Sequence, residues 1–522
     1  MASESSTRVS HSLSETRSIQ ENEKNVVVDI QNSKTPQGNT HDPQLTDDDI
    51  WNLDSANPRN WSFRKKWTAA GIVSLYTFVS PLASSMMAPG LLQVAEQYHV
   101  TNPTTLAMTL SIFLLAYALG PLVLAPLSEM YGRTWVLHIA NILFLGFNIG
   151  CAFSPNAGSL IAFRFLAGLA GSTPIACGGG SISDLFAERD RAGAMAVFTL
   201  GPLLGPVIGP IAGGFVAQSI GPKYVFIIIA GLCAFIAAVG IPFLHETYAP
   251  VLRQRLARPN DLEKLIDVKA PTAREKMHYL WLNISRPGIL LTRSFICFIL
   301  SLYMAFMYGI YYLMFATFAS VLGFLISSVV GTDTRVDFFK EAYNFSPGIG
   351  GLCYLGLGIG FFIATMFGAR IGDQIYASLS AKNGGVGKPE MRVPALIFGS
   401  FFVPIGLFWY GWSAQARLYW IMPIIGSGIF GFGLMTTFLP IQLYLVDAFS
   451  YAASALAAAS VLRSLLGFIF PLFGQQMYNA LGLGGGNSLL AGLSIILGIP
   501  FPIWIWYNGE RIRLRSKLSK AN

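Results

Sequence analysis

The sequence predicts an all-α polytopic membrane protein with twelve transmembrane helices in two six-helix halves, and three observations predict it. Charge is scarce: 53% of the 522 residues are apolar and 12% charged, against roughly 25% charged in soluble domains. Charge-free runs recur at helix length, at 67–95, 97–128, 134–163, 165–183, 192–222, 224–245, 294–332, 343–369, 393–416, 418–446 and 464–509. A helix needs about 20 apolar residues to cross the hydrocarbon, and only helices or closed barrels satisfy their backbone there. The runs are continuous rather than alternating, which selects helices over barrel strands. Finally, the basic residues gather at the ends of these runs, on one side.

Residues 1–60 are rich in polar residues and nearly lack aromatics, so they predict a disordered cytoplasmic tail. No cleavable signal peptide is visible before the first apolar run, which starts after Lys66. Spans one to six are expected near 67–88, 105–126, 135–154, 159–180, 195–217 and 224–244, within a first half at 61–244. A hydrophilic stretch at 245–293 is expected to be a cytoplasmic central loop. Spans seven to twelve are expected near 295–317, 348–368, 394–413, 419–441, 455–478 and 488–507, within a second half at 294–507, followed by a basic tail at 508–522.

Loop charge sets the direction. Arg133, Arg189, Arg191, the basic residues of 245–293, Arg370, Lys382, Lys388 and Arg392 face one side; Lys223, Arg335, Lys340 and Arg417 face the other. The positive-inside rule puts the richer side, and both termini, in the cytoplasm. The net charge of +8 is therefore a topology signal rather than a nucleic-acid surface. The five cysteines lie in or beside apolar runs without metal-ligand spacing, so they read as packing residues; no cofactor or metal is expected.

Two patterns stand out. Gly201-Pro-Leu-Leu-Gly205-Pro-Val-Ile-Gly209-Pro210-Ile-Ala-Gly213-Gly214 repeats glycine every fourth residue on span five. That spacing makes a flat ridge for a neighbouring backbone, and the prolines permit a bend. The pattern is open to a plain packing face or a mechanistic one. Between spans two and three runs Ala125-Pro-Leu-Ser-Glu129-Met-Tyr-Gly132-Arg133.

Both resemble signatures of the major facilitator superfamily: the first its antiporter motif, the second its Gly-rich acidic loop. Ala125 and Thr134 depart from the usual glycine and final basic residue. Glu246-Thr-Tyr-Ala-Pro-Val-Leu252, Ser301–Gly309, Ser346–Gly351, Pro404–Ser413 and Pro471–Gly474 resemble the fungal drug:proton antiporter family with twelve spans, over roughly 50–520. The resemblance implies two halves rocking around a central cavity. It ties Arg164 on span four to proton coupling; the residue itself reads as either functional or a snorkelling side chain. Span four ends in Asp184-Leu-Phe186 and span ten in Asp447-Ala-Phe449, a weak internal echo. Gating or coupling is thus expected of Glu129, Gly132, Arg133, Arg164, Asp184, Asp447 and Arg463. Ser80, Ser84, Tyr303, Tyr308, Tyr311 and Tyr312 are candidates for the substrate cavity, because rings bury apolar ligands while hydroxyls hydrogen-bond them. Aromatic packing or an interfacial belt is their alternative.

One segment departs from the family: the apolar run 321–330 and Gly-Thr-Asp-Thr-Arg335, readable as a re-entrant loop, a lengthened span seven or a retained intron. Asn344-Phe-Ser346 is a glycosylation sequon, weakened by Pro347. The expected function is a proton-coupled efflux pump for drugs, toxins or secondary metabolites. It would be a monomer in the plasma membrane, or the vacuolar membrane as the alternative. Its partners would be the lipid bilayer, an amphipathic small molecule and protons, with no nucleic acid. The rival readings are a polar nutrient or polyamine transporter and a non-transporting receptor or sensor. An enzyme is not expected, since the sequence holds no nucleophile–base pair, metal cluster or Walker-type loop.

Overall fold

The computed structural model describes residues 51–187, 190–256, 273–327, 347–449 and 452–515. The expected tail up to residue 50, the sequon at Asn344 and the connection 328–346 lie outside the described residues. Of the unit Met1–Asp54, only a helical turn at 51–53 and Asp54 are described.

The remainder is a bundle of membrane helices. The first six are α1 (Phe63–Ser85), α2 (Pro103–Tyr131), α3 (Arg133–Ala152), α4 (Ala157–Leu185), α5 (Arg191–Ser219) and α6 (Lys223–Phe243). Then come α7 (Phe295–Ser327), α8 (Gly348–Lys382), α9 (Val393–Gln415) and α10 (Ile421–Ala448). Eleven described helices are long and apolar enough to cross a membrane, and the last, Ser454–Leu514, spans 61 residues. At 1.5 Å per residue it would be about 90 Å long, three times the hydrocarbon thickness. It is two crossings. Gly482 has φ 72° and ψ 173°, and the Tyr478 hydroxyl donates to Asn487 Oδ1 at 3.4 Å, which a straight helix could not allow across nine residues. We label them α11 (452–481) and α12 (483–515), which makes twelve crossings.

Local chemistry sets several starts. Ser62, Asn102 and Asn156 cap α1, α2 and α4 by accepting from Lys65, Thr104 and Ser159 N–H groups. α4 breaks at Ser172, just before Pro174, and α8 passes through a π turn at Ala364–Gly368. Large apolar side chains such as Ile139, Phe235, Ile359 and Ile496 face outward. That surface suits lipid.

Successive crossings alternate in direction. One end of the bundle, called basal here, carries the starts of α1, α3 and α9 and the ends of α2, α4, α6 and α10; the other is apical. α1 packs on α5, α3 on α6, α9 on α10, and α7 on α11, while α2 with α11 and α5 with α8 join the first six helices to the last six.

The boundaries differ from expectation in three places. α2 continues to Tyr131, through most of the expected loop. α7 continues to Ser327, so the start of the unusual apolar run prolongs this helix. In the stretch 245–293, Ala249–Leu256 and Ala273–Arg293 are helices, the latter packed on α2, α7 and α11.

Candidate functional site

The α2–α3 corner is built around one glycine. Gly132 has φ 103°, a conformation L side chains avoid, and a Cβ there would strike the Glu246 carboxylate. Glu246, just beyond α6, accepts from the N–H groups of Arg133 (2.9 Å) and Thr134 (3.3 Å) and so caps α3. It also accepts from Thr247 and Tyr248 N–H, each at 3.0 Å. Arg133 turns back from this corner. Its Nε donates to Asp184 Oδ2 at 2.8 Å, its Nη1 to Ser128 Oγ at 3.2 Å, and the guanidinium lies 5.0 Å from the Tyr248 ring centroid. Gly180 on α4 leaves it room. Burial, and then the charge of Glu129, push the Tyr248 hydroxyl pKa up.

A counterpart stands at the basal end of the last six helices. Arg392, at the start of α9, donates from Nε to Asp447 Oδ2 at 3.2 Å and from Nη1 to Asp373 Oδ1 at 3.3 Å. Arg133 with Asp184 and Arg392 with Asp447 therefore occupy equivalent places, so the echo of the α4 and α10 ends is structural. Nearby, buried Glu390 accepts from Arg513 Nε (3.0 Å) and the Tyr444 hydroxyl (3.3 Å), tying the end of α12 to α9 and α10.

Arg164 lies deep in the first six helices and is fully buried. It starts seven residues into α4, about 10 Å from its apical end. Its guanidinium donates to four carbonyls: Ala83 (3.0 Å) and Ser84 (3.3 Å) on α1, Thr109 (3.2 Å) and Leu110 (3.3 Å) on α2. The Phe113 ring lies 4.8 Å away. The arginine clamps α1, α2 and α4 together and does not snorkel.

Beside this clamp the two sets of helices meet in aromatic side chains. Ser84 Oγ and the Tyr312 hydroxyl hydrogen-bond at 3.0 Å, joining α1 to α7. Tyr312 packs on Tyr308 and Tyr311 with centroids 5.0 and 5.2 Å apart. Tyr308 also stacks on Phe438 at 6.1 Å, and Arg463 of α11 sits 4.8 Å over its ring. On the α1 side, Ser80 hydrogen-bonds Tyr117 and donates to the Gly171 carbonyl at 2.5 Å.

The glycines of α5 face α1. A Cβ at Gly201 would meet Phe78 N at 3.0 Å; at Gly205, Leu82 N at 2.8 Å; at Gly209, the Leu82 carbonyl at 2.8 Å; at Gly213, the Met86 carbonyl. Gly214 is buried on the same helix. The Pro210 carbonyl faces Gly351 of α8. The ridge is thus a packing surface, lying where α5 also touches the other six helices. Apical hydrogen bonds between the two sets join Gly348 N–H to Gln218 (3.2 Å), and Thr104 to Gln476 (2.8 Å) and the Leu472 carbonyl (3.3 Å).

The seven residues expected to gate or couple thus fall in three places: Glu129, Gly132, Arg133 and Asp184 in one basal cluster, Asp447 in the other, and Arg164 and Arg463 flanking the aromatic site. Of the six cavity candidates the structure brings together Ser84, Tyr308, Tyr311 and Tyr312, with Ser80 one turn away. Tyr303 points elsewhere: its hydroxyl donates to Ser400 of α9 at 3.1 Å and its ring packs on Gly498. On α7 it falls five residues before Tyr308, more than a full turn, and so leaves that face. Sequence reading missed Glu246 as the cap of α3, Arg392 as the partner of Asp447, and Tyr117 and Phe438 as neighbours of the site. Arg392 was detectable, since it opens α9 as Arg133 opens α3. Among the described residues no cluster of His, Cys, Asp or Glu could hold a metal.

A family model described as Major Facilitator Superfamily matches residues 73–471. The chain is 44% identical to the MFS-type transporter penM of Penicillium rubens over 484 residues, 91% of each protein. It is also 44% identical to the efflux pump vrtL of Penicillium aethiopicum, over 90% of each, and 42% identical to the efflux pump radE of Floropilus chiversii, over 92% of this chain and 86% of that one. The fold is similar to a POT family transporter in complex with 5-aminolevulinic acid (TM-score 0.61, 13% identity, 88% of this chain and 99% of that one). It is likewise similar to the E. coli xylose transporter XylE in a partially occluded inward-open conformation (TM-score 0.59, 13% identity, 85% and 99%).

Proposed function

Because the chain belongs to the major facilitator superfamily, and is therefore a multi-pass secondary transporter rather than an enzyme, we propose that it is a proton-coupled efflux pump. Its cargo would be amphipathic small molecules such as drugs, toxins or secondary metabolites. The observation that carries the reading is the aromatic site where the two sets of six helices meet, with Tyr308 and Tyr312 between Ser84 and Arg463. Rings with hydroxyl groups at an interface between rocking halves can bind a greasy molecule and release it when the halves separate. Relatives named efflux pumps support the outward direction.

In this reading the basal end is cytoplasmic, the membrane is the plasma membrane and the working unit is a monomer. The basal clusters around Arg133 and Arg392 rearrange as the cytoplasmic gate closes, and Arg164 transmits charge changes to α1 and α2. The glycine ridge of α5 lets α1 slide closely past it. The test is efflux from cells expressing the protein, screened over toxic amphipathic compounds with and without a protonophore. Lower accumulation of some compound, reversed by the protonophore, is the expected result. Accumulation identical to non-expressing cells for every compound overturns export; export that survives the protonophore overturns the coupling.

A further inference from the structure

We propose that the interior site takes organic anions: molecules with a carboxylate or comparably acidic head on an aromatic or apolar body, the head anchored by Arg463. The inference rests on the export reading and names the substrate class of that same site.

The charge inventory points there. Apart from Arg370 and Asp373 on the long basal extension of α8 and the charges at the helix ends, the twelve crossings carry two charged side chains, Arg164 and Arg463, and both are cationic. The acids on the crossings, Glu129, Asp184, Asp373, Asp447 and Glu510, all lie toward the basal ends, beside Arg133, Arg392 or Lys388. Two positive charges thus stand in the bundle interior without a carboxylate from the crossings to balance them. A charge removed from water demands a partner of opposite sign.

The two arginines differ in what they have left to offer. Arg164 spends its donors on four carbonyls and is closed off. Arg463 lies eleven residues past Ala452, about 16 Å along α11 and well inside the hydrocarbon layer. Its guanidinium lies against the face of Tyr308, and its Nε is buried with no acceptor among the described residues. The neighbouring Tyr311 hydroxyl is likewise buried with none. A guanidinium fork with unused donors, one wall of stacked rings and no acid is the chemistry that recognises a carboxylate carrying a ring system. A cationic amphipath would meet repulsion from both arginines.

The test uses the purified full-length protein in nanodiscs and three probes sharing one ring system: 1-naphthylacetate, 1-naphthylacetamide and 1-naphthylmethylammonium. We expect the carboxylate to bind at least about tenfold more tightly than the amide and the ammonium most weakly. Arg463→Gln should erase the difference between carboxylate and amide, and Arg463→Lys should keep part of it. Wild-type protein that binds the amide as tightly as the carboxylate overturns the proposal, whether or not the variants fold. So does Arg463→Gln protein, monodisperse on size exclusion, that keeps the preference. Counterflow of the same probes in proteoliposomes separates this from the export reading. Transport without charge preference leaves export standing and removes the anion; preferential binding of a carboxylate that is never moved does the reverse.

Discussion

Arg164 ties three helices of the first set together. Four carbonyls from two helices converge on one guanidinium, so replacing it removes four hydrogen bonds between helices at once. Arg164→Ala is expected to abolish efflux while surface labelling of the protein stays near wild type. Arg164→Lys should restore little, because a single ammonium cannot reach carbonyls on both α1 and α2. A fully active alanine variant would remove the residue from the mechanism. The basal arginines make a graded comparison. Asp184 is the carboxylate paired with Arg133, whereas Arg392 has both Asp447 and Asp373. Asp184→Asn should therefore cost more stability than Asp447→Asn, up to about 3 kcal/mol, read as the loss of melting temperature in detergent. Equal losses would show that the second acid contributes nothing. Much at this scale was legible, since an arginine inside an apolar run announces itself. The direction of Tyr303 was not: helical side chains fan out every 100°, and only the positions of α9 and α12 decide which face is the interior.

At the scale of elements, α1 and α5 meet nearly backbone to backbone. The glycines of α5 approach α1 backbone, which cannot move aside by changing rotamer, and at Gly209 the Ser85 hydroxyl crowds the same space. Gly209→Val is expected to cost about 1–3 kcal/mol and to lower transport with it. On α6, Gly231 has nothing within 4 Å of the space a Cβ would take. Gly231→Ala should be neutral or slightly stabilising, so the melting temperatures of the two variants check the claim together. The fourfold glycine spacing was plain in the sequence; its partner was not, because a ridge declares closeness without saying to what. Helix ends were read less well. α2 runs through the predicted loop to Tyr131 because a single turn at Gly132, held by Glu246 from more than a hundred residues away, suffices to reverse the chain. A local pattern cannot show such a distant cap.

Over the whole molecule, charge-free windows and one-sided basic residues were enough to foresee a polytopic helical bundle with an even number of crossings. The window 464–509 concealed two crossings, and the turn between them hangs on Gly482, one glycine among several in Leu481–Gly486. The repeat was visible only as an echo between Asp184 and Asp447; the pairing of each with the arginine that opens the next helix gives that echo its substance. Hydrogen bonds join the two sets of six helices midway and at the apical end. Rocking between sets that are latched at one end is how a secondary transporter exposes its site to one side at a time. Under the proposed function a proton gradient drives that motion toward export. The most direct measurement is uptake of a labelled amphipathic substrate into inside-out vesicles, acidified inside, from cells expressing the protein. Proton-driven export predicts uphill accumulation that collapses when the pH gradient is abolished and is missing with Arg164→Ala. Accumulation indifferent to the gradient, or none beyond that of vesicles lacking the protein, would contradict it.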